Sequence, residues 1–167
     1  TEPEGLGMSP RRITVSTSGI PKMIKMLAEE DLRVKLALSL HSAIEEKRNE
    51  IMPFSDKFPL TEIMQSLQYW YEKTGNIITF EYCVWKGIND KDEDIKALIK
   101  YCKQVPSKVN LIQYNSIGDG KYDQSNPAAM ENYVRQLEKN GITVMIRRSR
   151  GSDIDAACGQ LANKTAE

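Results

Sequence analysis

The stretch Val34-Lys35-Leu36-Ala37-Leu38-Ser39-Leu40 is a nearly continuous apolar run of seven residues. A strand exposed on one face alternates apolar and polar side chains; a run without that alternation marks a strand buried on both faces, as in a parallel sheet. Working outward, Arg12-Ile13-Thr14-Val15-Ser16 is short and β-branched and leads into Thr17-Ser18-Gly19. Between these two strands, residues 21–30 carry Met23, Ile24 and Leu27 at helical spacing, with Pro21 suited to a first turn. A strand, a helix and a second strand within thirty residues predict a βα repeat.

The repeat continues to the end of the chain. Residues 44–51 form a short charged helix, and residues 60–73 an amphipathic one whose Leu60, Ile63, Met64, Leu67, Trp70 and Tyr71 share a face, closed by Gly75-Asn76. A third strand covers 77–85. Asp90 with Glu93 predicts a capping box for a helix reaching about Lys103. A fourth strand covers 109–114, and a polar loop covers 118–126. Pro127 opens a helix to about Lys139, Asn140-Gly141 closes it, a fifth strand covers 142–146, and a short helix is expected over 153–161. Such alternation predicts an α/β fold with a mostly parallel sheet flanked by helices and right-handed crossovers. Five strands are too few to close a (β/α) barrel, so a partial barrel is expected.

Composition bounds the rest. The 167 residues suit one domain, with 40% hydrophobic and 28% charged residues. Lys plus Arg and Asp plus Glu both number 23, so net charge gives no pointer to nucleic acid, and any pointer must be local. No apolar run approaches the ~18 residues of a membrane span. Cys83, Cys102 and Cys158 are scattered and odd in number, which argues against a disulfide framework and for a reducing, cytoplasmic setting; their spacing offers no metal site. The opening Thr1-Glu2-Pro3-Glu4-Gly5 is neither a signal peptide nor an initiator, so a longer parent protein is expected.

In βα folds of this kind chemistry gathers at the C-terminal ends of the strands. Ser16, Ser18, Ser39, His41, Asn89 and Asn115 fall there and could together hydrogen-bond one small polar ligand, although each residue type also makes ordinary turns. His41, the sole histidine, reads either as structural or as a ligand contact. Arg147, Arg148 and Arg150 follow the last strand. Cys158, after Ala156-Ala157 and before Gly159, is either an accessible thiol that nearby arginines would favour as thiolate, or a buried structural cysteine. Cys83 and Cys102, inside a strand and a helix, read as core thiols.

The run Gly151-Ser152-Asp153-Ile154-Asp155-Ala156-Ala157-Cys158-Gly159-Gln160-Leu161 resembles the C-terminal signature of RlmN-type dual-specificity RNA methyltransferases, a radical-SAM family. Pro3 to Gly7, Arg11 to Gly19, Ser39-Leu40-His41, Arg48 to Pro53, Thr79 to Tyr82, Asn89-Asp90, Asn110 to Ile112 and Tyr114-Asn115 match in the same order, so the resemblance covers nearly the whole chain. It implies a partial (β/α) barrel of the radical-SAM type, with residues 1–167 as the C-terminal portion of the catalytic domain. It implies that Ser16, the Ser39-Leu40-His41 segment and Asn115 bind S-adenosylmethionine (SAM). It implies that Cys158 accepts a methyl group from one SAM, and that a second SAM, cleaved at a [4Fe-4S] cluster, provides the radical that activates this methyl for C2 of an adenine in rRNA or tRNA. The arginines are then candidate RNA contacts, and the parent is expected to be a monomer away from membranes.

Two departures stand out. Gln113 and Ser116 replace prolines usual beside the Tyr-Asn pair. The family's CxxxCxxC motif, Gly-Glu motif, second active-site cysteine and accessory RNA-binding domain lie N-terminal to the matched region, so this chain alone is expected to be inactive. It is also expected to self-associate through an unpaired edge at residues 13–15. The alternatives from sequence are the sister family that methylates C8 of the same adenine, and a non-catalytic RNA- or ligand-binding βα domain.

Overall fold

The computed structural model describes residues 7–114 and 122–147. Among these, five strands form one sheet in the sequential order β1 (Thr14–Thr17), β2 (Lys35–Ser39), β3 (Ile78–Val84), β4 (Ser107–Gln113) and β5 (Thr143–Arg147). Every neighbouring pair is parallel. The connections contain helices α1 (Pro21–Glu29), α2 (Glu45–Ile51), α3 (Leu60–Thr74), α4 (Asp92–Cys102) and α5 (Pro127–Lys139). This is the expected α/β architecture. The predicted helix over 153–161 lies outside the described residues, as does the first part of the predicted 118–126 loop.

Side-chain alternation sorts the sheet into two faces. Leu36, Leu38 and Leu40 from the β2 segment, Ile78, Phe80, Tyr82 and Val84 from β3, and Val109 and Leu111 from β4 are all fully buried. They form one core with Ile24 of α1, Ile63, Leu67 and Trp70 of α3, Ile95 and Leu98 of α4, and Tyr133 and Leu137 of α5. The alternate positions point to the opposite face: Ser16, Ser39, Glu81, Asn110 and Arg147. The helices thus cover one side of the sheet, and the other side carries the polar residues.

Local signals account for most element ends. Gly75 closes α3 in the left-handed conformation (φ 66°), its N–H donating to the Tyr71 carbonyl at 2.9 Å. Asn126 caps α5, its side chain accepting from the Ala128 N–H at 3.0 Å, with Pro127 in the first turn. The expected capping box at Asp90 and Glu93 is corrected by one residue. The carboxylate of Asp94 accepts from the Lys91 N–H at 3.1 Å and receives the Lys47 ammonium at 2.7 Å. Asp94 is buried; it starts α4 and, together with Glu93, which receives the same ammonium at 2.8 Å, ties it to α2. Strand β1 sits at one edge of the sheet, as expected for 13–15. No helix among the described residues is long and apolar enough to cross a membrane.

Candidate active site at the strand ends

Because all five strands are parallel, their C-terminal ends lie along one edge. Ser16 and Ser39 both occupy the helix-free face near that edge, with Ser39 one two-residue step nearer the end. Ser39, Glu81, Asn110 and Met145 share one rung across four strands. Cys83, Ile112 and Arg147 share the next.

The loop after β1 is held from below. Gly19 adopts φ +97°, and a Cβ there would meet Ile63 Cδ1 at 2.9 Å and Leu38 Cδ1 at 3.0 Å, so only glycine lets the backbone pass this close to the core. The fully buried Arg48 reaches the same loop, Nη2 donating to the Ser18 carbonyl at 2.7 Å. Its Nε and Nη1 make no hydrogen bond. Burial draws its pKa down, opposed by Tyr101 and Glu45.

His41 follows β2 in the left-handed region, φ 58°. Its Nδ1 accepts from the Cys83 N–H at 3.2 Å, which leaves the ring hydrogen on Nε2 as a donor. Its ring meets Trp85 edge-on at 5.5 Å. Burial first, and the Arg48 charge second, lower its pKa from the ordinary 6.5 to about 4, so it is neutral at neutral pH. The fold therefore favours neutral His41, and between pH 6.5 and about 4 the unfolded chain binds the extra proton. His41 contributes its full stability above pH 6.5 and loses it as pH falls towards 4, a loss of about 3 kcal/mol at ~1.4 kcal/mol per unit. Urea unfolding across this window should show a shallower pH slope for His41→Asn than for the wild type. Parallel slopes would remove His41 as the source.

The structure also places Leu40, Asn89 and Ser18. Leu40 has its side chain in the helix-covered core, fully buried, so any ligand contact from it is through backbone. Asn89 ties backbone together: its Oδ1 accepts from the Trp85 N–H at 2.7 Å, and its Nδ2 donates to the carbonyls of His41 at 2.7 Å and Cys83 at 2.8 Å. That consumes both side-chain hydrogens, while Tyr133 Oη donates to its backbone oxygen at 2.6 Å. Ser18 contributes its carbonyl to Arg48. Asn115, Arg148, Arg150 and Cys158 lie outside the described residues. Arg147 is described and largely exposed, with Nη1 3.9 Å from Glu81 Oε2.

Residues not singled out from sequence complete the edge. Trp85, Tyr114 and Tyr122 form an aromatic cluster with centroid separations of 5.7–6.2 Å. Glu81 Oε1 accepts from Asn110 Nδ2 at 2.8 Å. Cys83 and Cys102 are both buried, as expected. No group of three or more His, Cys, Asp or Glu side chains among the described residues could hold a metal ion.

No protein-family model matches the chain. Over 98% of its length it is 62% identical to a Flavobacterium psychrophilum protein named "Probable dual-specificity RNA methyltransferase RlmN", and over 99% it is 61% identical to a protein of the same name from Christiangramia forsetii. In both cases the match covers 47% of the relative, so the chain spans about half the length of the curated relatives it matches. Among solved structures, a radical SAM methyltransferase from Sphaerobacter thermophilus superposes with a TM-score of 0.91 at 36% identity, covering 95% of this chain and 47% of that one. A domain of a pyruvate-formate lyase-activating enzyme from Bacteroides vulgatus shares the fold, with a TM-score of 0.62 at 14% identity over 80% of each chain.

Proposed function

We infer, from the homology of this chain to the RlmN-type radical-SAM methyltransferases, that it supplies the C-terminal portion of the catalytic barrel of a cytoplasmic enzyme that methylates C2 of adenine in large-subunit rRNA and tRNA. The observation that carries this reading is the polar, helix-free face at the C-terminal strand edge, with Ser16 and Ser39 on it, in a chain so close to its relatives. That face fits SAM. It offers hydroxyls at Ser16 and Ser39, backbone at Leu40 and His41, and a neutral His41 ring with a donor at Nε2. Asn115 is the further SAM contact that the family pattern implies.

When bound, SAM supplies the methyl group and the radical chemistry that activates it. The part of this chain is to hold SAM, to accept the methyl on Cys158 and to steer RNA with Arg147, Arg148 and Arg150. Arginine suits that last task because it pairs with phosphate and stacks on bases. The described residues offer a [4Fe-4S] cluster no ligand set, so no step is assigned to it on this chain.

The test is mass spectrometry of nucleosides from rRNA and tRNA incubated with the full-length protein, SAM and reductant under anaerobic conditions. The expected product is 2-methyladenosine. Replacing the three arginines with alanine should weaken RNA binding most at low salt. Appearance of 8-methyladenosine would overturn the C2 assignment, and no methylated adenosine would overturn the function.

A further inference from the structure

Glu81 and Asn110 are neighbours on the helix-free face, on the rung that also holds Ser39. Glu81 Oε1 can only accept, so the bond of 2.8 Å fixes which end of Asn110 faces it: Nδ2 donates, and Oδ1 points away. Two oxygens are then left over. Glu81 Oε2 and Asn110 Oδ1 are both buried and neither has a hydrogen-bond partner. Buried polar atoms are almost always satisfied, and a buried carboxylate oxygen is among the most costly to leave bare. The nearest cation, Arg147 Nη1, stands 3.9 Å from Oε2, beyond hydrogen-bond reach, on a side chain that is 62% exposed.

The chemistry of the gap is specific. Two orphaned acceptors call for a group that carries two hydrogens. Immediately beside them is a guanidinium whose N–H groups call for an acceptor. An adenine edge presents this pair, with an amino group next to a ring nitrogen; the corresponding edge of guanine presents acceptors at both places. We propose that Glu81 Oε2 and Asn110 Oδ1, with Arg147 beside them, form a subsite for the amino-bearing edge of an adenine. The subsite rests on the reading above for its setting beside Ser39, and it makes Glu81 a specificity-determining residue. SAM and the target nucleotide of the RNA both contain adenine, and the experiment separates them.

Affinities are measured by equilibrium binding to the full-length protein for two pairs of probes. The first pair is SAM and its analogue with hydrogen in place of the adenine amino group. The second is an RNA hairpin presenting one unpaired adenosine and the same hairpin with purine riboside there. The wild type should prefer the amino-bearing member of one pair by about 10-fold or more, the worth of a hydrogen bond to a buried charged group. Glu81→Gln keeps the shape and the Asn110 bond but sets an NH2 where Oε2 stood, so donor faces donor. It should reduce that preference below about 3-fold and leave the other pair unchanged. The pair affected names the source of the adenine. Arg147→Met, at an exposed site where folding is safe, should weaken the same pair without changing thermal stability. A Glu81→Gln protein that keeps the wild-type preference in both pairs, a wild type with none, or an Arg147→Met protein with unchanged affinities would overturn the subsite and leave Glu81 as a structural partner of Arg147. Because the readout is binding, a wild type that shows the preference but forms no methylated adenosine would refute the proposed function and not the subsite.

Discussion

Asn89→Ala should destabilise the protein by about 4 kcal/mol, enough to lower its melting temperature by roughly 10 °C. The fully buried Asn89 side chain joins three backbone groups: the Trp85 N–H, the His41 carbonyl and the Cys83 carbonyl. Truncation removes these three hydrogen bonds from a dry interior, and the cost per group is about 1–3 kcal/mol with incomplete additivity. Asn89→Asp should be at least as damaging, because it keeps the acceptor for Trp85 but turns a charged oxygen towards two carbonyls. The consequence for the site follows from where those groups lie. Asn89 clamps the end of β2 to the end of β3, and the same two segments meet again where Cys83 N–H donates to His41 Nδ1. Loss of the clamp frees His41 from the position in which its Nδ1 accepts from the Cys83 N–H. Chemical and thermal denaturation measure the first effect, and SAM affinity at a temperature well below unfolding measures the second. A change under about 1 kcal/mol would show that water or a shifted loop replaces the amide.

The contrast between Asn89 and Glu81 shows what a sequence of this kind makes legible. The parallel α/β sheet could be read from apolar runs such as 34–40 because burial on both faces is a local property of composition. Strand ends differ from the expected ones by one or two residues, since the last residues of a run are decided by ladder partners on other strands. Asn89 reads as a ligand contact because it is polar and follows a strand. Its true role depends on the His41 carbonyl, 48 residues away in sequence, which no local pattern reveals. Leu40 follows the parity of Leu36 and Leu38, so its inward side chain could have been anticipated by counting alternation from the core. Glu81 also left a signal. A carboxylate at the centre of the apolar strand Ile78–Val84, two residues from Thr79 and Cys83 on the same face, needs a partner or a ligand. The aromatic cluster of Trp85, Tyr114 and Tyr122 left none, because it gathers three separate segments.

Cys158→Ala in the full-length protein should abolish methyl transfer to RNA while leaving the fold and SAM binding intact. The assignment is what the resemblance to the RlmN-type family implies, and the two described thiols offer no rival. Cys102 packs into the core on α4, where burial pushes its pKa up to about 12, so at neutral pH it is a thiol and a poor nucleophile. Cys83 is buried within β3 and its backbone N–H is committed to His41. Cys158 differs in sequence setting. Alanines precede it, a glycine follows, and three arginines lie within eleven residues upstream. Small neighbours would leave the sulfur reachable, and guanidinium groups would favour the thiolate, the form that attacks a sulfonium methyl. In that displacement the Cys158 S–CH3 bond forms as the sulfonium S–CH3 bond breaks, and the former cofactor leaves as a neutral thioether. A methyl thioether at Cys158 should therefore appear in tryptic peptides of the wild type incubated with SAM and reductant, as a mass increase of one CH2, and be missing from the same region of Cys158→Ala. Cys83→Ala and Cys102→Ala should retain transfer and lose only stability, by about 1–3 kcal/mol for a small truncation in the core. If Cys158→Ala still methylates adenine, the methyl does not pass through this sulfur. Modification of Cys83 or Cys102 in its place would mean that burial in this half of the barrel does not persist in the working enzyme.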